Sequence, residues 1–475
     1  MQVSFTRTIL AIGVGIGILS ACGGGDASDI VENPELSFHA REWKELPGDP
    51  AAIPTFDPNA VITGAKASGI SGSFSPIDLY KHYGIPFTPG ANGTGVPINS
   101  GAGATIAIVD APGSSTIAAD LALFNARFGL PSLTSCTSTS SGVSSACTSS
   151  TTPYLTVIDL SCGPTKKTTA PTCAGYDPGW GGEIALDVQY AHAFAPKANI
   201  VLIMAKSASI VDLDAAVKLA AAQPNVVAVS MSYGGNEFAS ETFFDTTFKN
   251  GIANNGVVFL ASTGDAGDWG SNKSYPAAST YVTAVGGTGI KSTGEIGWSG
   301  GGGGPAIYQK MPSYQSNYLK TATTAQLGNL PQSISANSPT PGTVSGPLRA
   351  MPDLSLNADP SNSPVLVISA NKLQFVGGTS ESAPLWAGIV AQLASQTGVA
   401  AFKSKVKTAT DGFGFNSLLY SPTKVAAGFA DVTVGTNLTV GGSNACKIYC
   451  VATTGYDTVT GLGVPIVSAF LAAYK

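Results

Sequence analysis

The chain has 475 residues, 44% of them apolar, enough to bury a large core, which excludes intrinsic disorder. Only 11% are charged, against about 25% in an average soluble domain. The net charge of −5, from 24 Lys and Arg against 29 Asp and Glu, comes without any basic block and argues against a nucleic-acid partner. With so few cationic groups, self-repulsion in acid is expected to be mild, which is compatible with work at low pH.

In chain order, Arg7 precedes an apolar run over residues 9–19. The run is too short for a membrane-spanning helix, which needs about 20 residues, and fits a secretory signal. It ends in Leu19-Ser20-Ala21-Cys22 followed by three glycines. This string is similar to a bacterial lipobox, so residues 1–21 are expected to be a lipoprotein signal peptide and Cys22 the lipidated first residue. The expected location is the bacterial outer membrane, facing the periplasm or the cell surface. Residues 22–73 are polar and dotted with proline, and read as a tether or short leader. The other six cysteines are an even number in an exported chain and suggest disulfides, with neighbours pairing as 136–147, 162–173 and 446–450.

From Phe74 onward, short apolar runs at 104–110, 199–205, 226–232, 257–263 and 281–285 alternate with helical patterns at 182–195, 212–222 and 241–254. Fully apolar strands alternating with helices predict an α/β domain over 74–475, doubly wound, with a mainly parallel sheet covered on both faces. The Ser/Thr-rich stretch 132–170 reads as a surface insertion pinned by disulfides, and 300–304 as a flexible glycine loop without chemistry.

Three segments carry chemistry. Gly377-Gly378-Thr379-Ser380-Glu381-Ser382-Ala383-Pro384 follows a strand or hairpin at 365–375 and opens an apolar helix at 385–394. Ser380 therefore sits at a helix N-terminus, with Pro384 in the first turn, where N–H groups and the helix dipole favour developing negative charge. A serine in such a place is more often a simple N-cap, but the whole string resembles the nucleophile motif of the subtilisin-like clan. A nucleophilic serine needs a base. Of three histidines, only His192 lies in a well-patterned segment, and it reads as a packed helix residue. The second segment holds Glu183 and Asp187 at i and i+4, on one helix face, where two carboxylates titrate together and one is pushed up. Glu237 and Glu241 share that spacing and read as a solvated face. The third segment, Ser262-Thr263-Gly264-Asp265, closes a strand in a sharp turn.

Together these residues resemble the sedolisin, or serine-carboxyl, peptidases across 74–475. The resemblance implies Ser380 as nucleophile, Glu183 as general base, Asp187 as the acid that orients it and Asp265 as the protonated acid that stabilises the oxyanion. It makes Ser232-Tyr233-Gly234-Gly235 the strand that pairs with substrate backbone, and Asp110 an acid extending the hydrogen-bond chain. At the C-terminus it implies one Ca2+ ion held by the side chains of Asp431 and Asp457 and the carbonyls of Val432, Thr453 and Gly455. Oxygen ligands of this kind suit that hard cation. The expected activity is acid-active hydrolysis of protein or peptide substrates through an acyl-enzyme, as a serine-type endopeptidase. Two other readings compete: an inactive surface lipoprotein acting as a binding module, and a neutral protease using His192. The leader of residues 22–73 is shorter than the folded pro-domain usual in the family.

Overall fold

The structure, a computed structural model, describes residues 73–475 apart from 137, 140–141, 144–146, 148–150, 163–172, 174, 269–273, 322–346 and 439–449. The signal, Cys22, the leader up to residue 72 and Cys446 lie outside the described residues.

The nine strands of the central sheet are β1 (Thr105–Asp110), β2 (Thr134–Cys136), β3 (Tyr154–Asp159), β4 (Asn199–Met204), β5 (Val226–Met231), β6 (Val258–Ser262), β7 (Thr283–Lys291), β8 (Gly294–Gly297) and β9 (Leu354–Asn357). Their order is β8-β7-β6-β5-β1-β4-β3-β2, with β9 also paired to β7. Every pairing is parallel except the hairpin β7–β8. Strands β1, β5 and β6 are buried throughout, as their mostly apolar runs require when both faces are covered. The chain runs from β1 to one edge, returns through β3 and β4, then crosses to β5 on the other side of β1. This is the doubly wound arrangement expected, and it puts a topological switch beside β1.

Four helices matter for the site: α1 (Ile117–Phe128), α2 (Pro178–Phe194), α3 (Ile210–Ala221) and α4 (Thr379–Thr397). Helices α2 and α4 pack against each other and against β1, while α3 packs on β1, β4 and β5. The α2–α4 approach is close because Gly388 lacks a side chain: a Cβ there would stand 2.5 Å from Phe194 Cβ. Gln392 Nε2 then donates to the Phe194 carbonyl at 2.6 Å.

Four expectations need correction. The stretch 132–170 is not wholly an insertion, because β2 and β3 lie within it and β3 pairs with β4. Its strand signal is masked by the Thr and Asp of Tyr154–Asp159 and the serines before it. Residues 241–254 do not form one helix but a 3₁₀ turn (Glu241–Phe243), a short α-helix (Asp245–Asn250) and a π turn (Gly251–Asn255). Glu237 and Glu241 are buried rather than solvated. Strand Gly304–Lys310 covers them: the N–H groups of Ile307 and Tyr308 donate to Glu237, and Gln309 Nε2 donates to Glu241 and Asp245. Pro384 lies inside α4 rather than in its first turn, because the helix starts at Thr379.

Cys162 and Cys173 form a disulfide, and Cys450 is disulfide-bonded with its partner outside the described residues. Cys136 and Cys147, by contrast, face each other as hydrogen-bonded thiols. Among the described residues no single helix is long and apolar enough to cross a membrane.

Candidate active site

The carboxyl ends of β1, β5 and β6 meet the N-terminal parts of α2 and α4. Ligands of open α/β sheets bind at such an edge. Strand β1 ends in Asp110, which is fully buried. The chain after it holds the start of α2. The N-cap Asp177 donates its N–H to the Gly113 carbonyl at 2.8 Å, and its carboxylate accepts from the N–H of Trp180 at 2.8 Å. Two glycines permit that contact, since a Cβ on Gly181 would stand 2.9 Å from the Gly113 carbonyl oxygen.

Helix α2 presents Glu183 and Asp187 one turn apart, both buried. Burial pushes Asp110 well above the ordinary carboxylate range, and Glu183 pushes it further. Asp187 is raised for the same first reason, then by Asp110 and Glu183, and is lowered only by a hydrogen bond from Ser232. The three acids form one interacting group, so protons leave it in shared steps.

Ser232 follows β5 directly. Its Oγ stands 2.9 Å from Asp187 Oδ1 and 3.2 Å from the Ser380 carbonyl oxygen. Pro384 lacks the N–H that would close the helical bond onto that carbonyl, and the Ser232 hydroxyl stands there instead, its one proton shared between this carbonyl and the nearer Asp187. Tyr233 is also buried, whereas Gly234 and Gly235 are half-buried. Gly235–Asn236 pairs antiparallel with Ser274–Tyr275. A side chain on Gly234 would collide with Ser274 Oγ at 2.1 Å.

Ser380 is buried in the first turn of α4, and its Oγ makes no hydrogen bond among the described residues. The approach to it is fixed by the hairpin Val365–Ser369 and Lys372–Val376, which Gln189 and Tyr190 of α2 bind through the Ile368 and Leu366 backbone. Gly378, at φ +122°, makes the turn into the helix. Asp265, three residues beyond β6, accepts from the Thr379 N–H at 2.8 Å and the Thr379 hydroxyl at 2.9 Å. The glycine loop 300–304, expected to be a flexible loop without chemistry, packs on this turn. Gly302 N–H donates to the Gly264 carbonyl and Gly267 N–H to the Gly300 carbonyl, both at 2.7 Å. A Cβ on Gly302 would stand 2.1 Å from the Thr263 carbonyl oxygen, so this glycine serves close packing. The repeated glycines are the signal that could have revealed it.

His192 lies far from this chemistry in role. It is buried on α2, bonds the Pro131 carbonyl at 2.8 Å, and burial lowers its pKa to about 4.

The C-terminal acids also meet. Asp431 accepts from the Gly455 N–H at 2.7 Å, and Asp457 accepts from the N–H groups of Thr453, Val459 and Thr460. Burial pushes Asp457 up to about 6, with Asp431 a lesser contributor. Two carboxylates close enough to raise one another offer the oxygen ligands that a hard cation takes. A separate grouping, Asp159 with Cys162 and Cys173, has its two sulfurs tied in a disulfide and suits no metal.

A family model described as the subtilase family matches residues 168–410. Kumamolisin of Bacillus sp. (strain MN-32) is 33% identical over 309 residues, covering 60% of this chain and 49% of that protein. Tripeptidyl-peptidase sed4 of Aspergillus fumigatus is 32% identical over 270 residues, covering 50% and 42%. The chain thus spans about half the length of the curated relatives it matches. Among solved structures, Pseudomonas sedolisin, a serine-carboxyl proteinase complexed with two molecules of pseudo-iodotyrostatin, aligns with a TM-score of 0.56 at 23% identity. That alignment covers 85% of this chain and 98% of the other.

Proposed function

Because this chain belongs to the subtilase family, as a sedolisin-type member, we propose that it is a serine-carboxyl peptidase that cleaves peptide bonds in acid. The observation that carries this reading is the buried acid group of Asp110, Glu183 and Asp187 beside a buried serine at a helix N-terminus. Burial and mutual repulsion hold protons on such a group in acid.

In the proposed reaction Ser380 Oγ comes within hydrogen-bond reach of Glu183 as substrate binds, since catalytic hydrogen bonds often form fully only in the substrate complex. Glu183 takes the Ser380 proton while Asp187, anchored by Ser232, holds Glu183 in place. Ser380 forms a new bond to the scissile carbonyl carbon. The tetrahedral oxyanion is stabilised by the Ser380 N–H and by the protonated carboxyl of Asp265, each such donor being worth about 3–4 kcal/mol. The carbon–nitrogen bond breaks as Glu183 returns its proton to the leaving amine, and water then releases the acyl group by the reverse sequence. Gly234 and Gly235 offer backbone to the substrate. An ionised Asp265 would repel the oxyanion, so activity falls as pH rises.

A calcium ion would be held by the side chains of Asp431 and Asp457 with the carbonyls of Val432, Thr453 and Gly455. When bound it neutralises the two acids and pins the C-terminal loops. Attachment to a membrane through a lipid on Cys22 completes the proposal, and rests on the motif alone.

The test is a pH profile of peptide-mixture cleavage from about pH 2.5 to 8, with Ser380→Ala alongside. Cleavage confined to acid and lost in the variant supports the reading, and the product lengths separate internal cleavage from removal of tripeptides. Full activity near pH 8 would sink the role given to Asp265. No cleavage by folded, calcium-loaded protein would favour a binding module.

A further inference from the structure

Thr379 makes an unusual demand on one oxygen of Asp265. Both its N–H, at 2.8 Å, and its hydroxyl, at 2.9 Å, are directed at Oδ1. The direction of the hydroxyl proton is fixed by a third bond: the Gly264 N–H donates to Thr379 Oγ1 at 3.0 Å. A threonine hydroxyl has a single proton, and with Oγ1 accepting from Gly264 that proton goes to Asp265.

An oxygen already accepting two donors is a poor place for a proton, because its lone pairs are engaged. A carbonyl-type oxygen can keep both bonds, so the protonated acid retains the network with its proton on the other oxygen. That oxygen, Oδ2, faces the turn into the nucleophile helix. A Cβ placed on Gly378 would stand 2.7 Å from Oδ2 but 3.6 Å from Oδ1. We propose that Thr379 is a positioning residue that assigns the acid proton of Asp265 to Oδ2, aiming the carboxyl O–H at the place where the oxyanion forms beside Ser380. The proton stays on Asp265 throughout, and no bond to it is made or broken. This inference rests on the reading of Asp265 as the oxyanion donor.

The experiment uses the calcium-loaded chain as wild type, Thr379→Val, Thr379→Ser and Ser380→Ala. Valine keeps the shape and the N–H but removes the hydroxyl. The proton can then sit on either oxygen, and kcat should fall about 10- to 100-fold with KM little changed, since a misaimed donor loses part of a full donor's effect. Thr379→Ser should restore kcat. A wild-type kcat in the valine variant would overturn the inference while leaving the peptidase reading intact. So would a serine variant no better than valine with a lowered melting temperature, which marks a packing role. A folded wild type that cleaves at no pH, like Ser380→Ala, would overturn the peptidase reading and this inference with it.

Discussion

The Ser232 hydroxyl reaches the carbonyl oxygen of Ser380 at 3.2 Å, the carbonyl whose helical donor position is taken by Pro384. The same hydroxyl stands 2.9 Å from Asp187 Oδ1. One side chain therefore couples the turn that carries the nucleophile to the acid that steadies the base. Ser232→Ala should remove both contacts from a buried site, costing about 1–3 kcal/mol of stability. On the proposed mechanism kcat should fall more than KM rises. Ser232→Thr should retain most of the activity, since its hydroxyl can occupy the same place. Steady-state kinetics with thermal melts distinguish this from a simple loss of packing, which would lower the melting temperature and leave kcat at permissive temperature unchanged.

Glu381, beside the nucleophile, gives a pH-dependent prediction of defined sign. It is fully buried, receives a hydrogen bond from Asn357 Nδ2 at 2.8 Å, and burial pushes it well above its ordinary value of 4.5. Below that value both folded and unfolded chains carry the proton. Above it the unfolded chain releases the proton and the folded chain keeps it. Folding stability then falls as pH rises, by about 1.4 kcal/mol per pH unit for each such group, until the raised folded value is reached. Glu381→Gln keeps the acceptor for Asn357 and removes the titration. The variant's stability advantage over wild type should be absent near pH 4 and grow towards pH 7 in denaturant titrations. A pH-independent difference would mean that Glu381 is not held neutral by the fold.

Gly378 is constrained twice, by φ +122° and by the carboxyl of Asp265. Gly378→Ala strains the backbone and drives a methyl towards Asp265 Oδ2. The expected result is a loss of about 10²-fold or more in kcat, the scale seen when an oxyanion donor is displaced. Gly398→Ala is the control. That glycine, at φ +86°, carries a similar backbone strain, but no atom lies within 4 Å of an added Cβ. It should lower stability without lowering kcat.

Much of the fold was legible because β1, β4, β5 and β6 are short, mostly apolar and separated by helical patterns. Local rules also placed Ser380 at a helix start and Glu183 and Asp187 on one helix face. Contacts made by distant chain segments were not legible. The spacing of Glu237 and Glu241 is that of a solvated face, and only the return of Gly304–Lys310 buries them. Ser232 meets Asp187 and Thr379 meets Asp265 across separations of 45 and 114 residues, which no periodicity encodes. The start of α4 is hidden in the sequence because Pro384 looks like a first-turn proline. The structure extends the helix past it and recruits Ser232 to the carbonyl it leaves bare.

The C-terminal acids test the calcium proposal through stability rather than chemistry. Asp457 carries three backbone N–H bonds and Asp431 one, so the loops 431–432 and 453–460 are already gathered around two carboxylates that repel each other. A divalent cation bound between them stabilises the folded chain by RT ln(1 + [L]/Kd), about 2.7 kcal/mol at one hundred times Kd. Chelation should therefore lower the melting temperature, and added calcium should raise it in a concentration-dependent way. Asp431→Asn is the informative variant, because it keeps an acceptor for the Gly455 N–H while removing half of the paired charge. Its melting temperature should lie near that of chelated wild type and respond weakly to calcium. Magnesium should substitute poorly, since it demands a tighter octahedral shell than loop carbonyls readily supply. A wild-type melting temperature indifferent to both chelator and calcium would remove the ion from the proposal and leave the two acids as loop-capping groups.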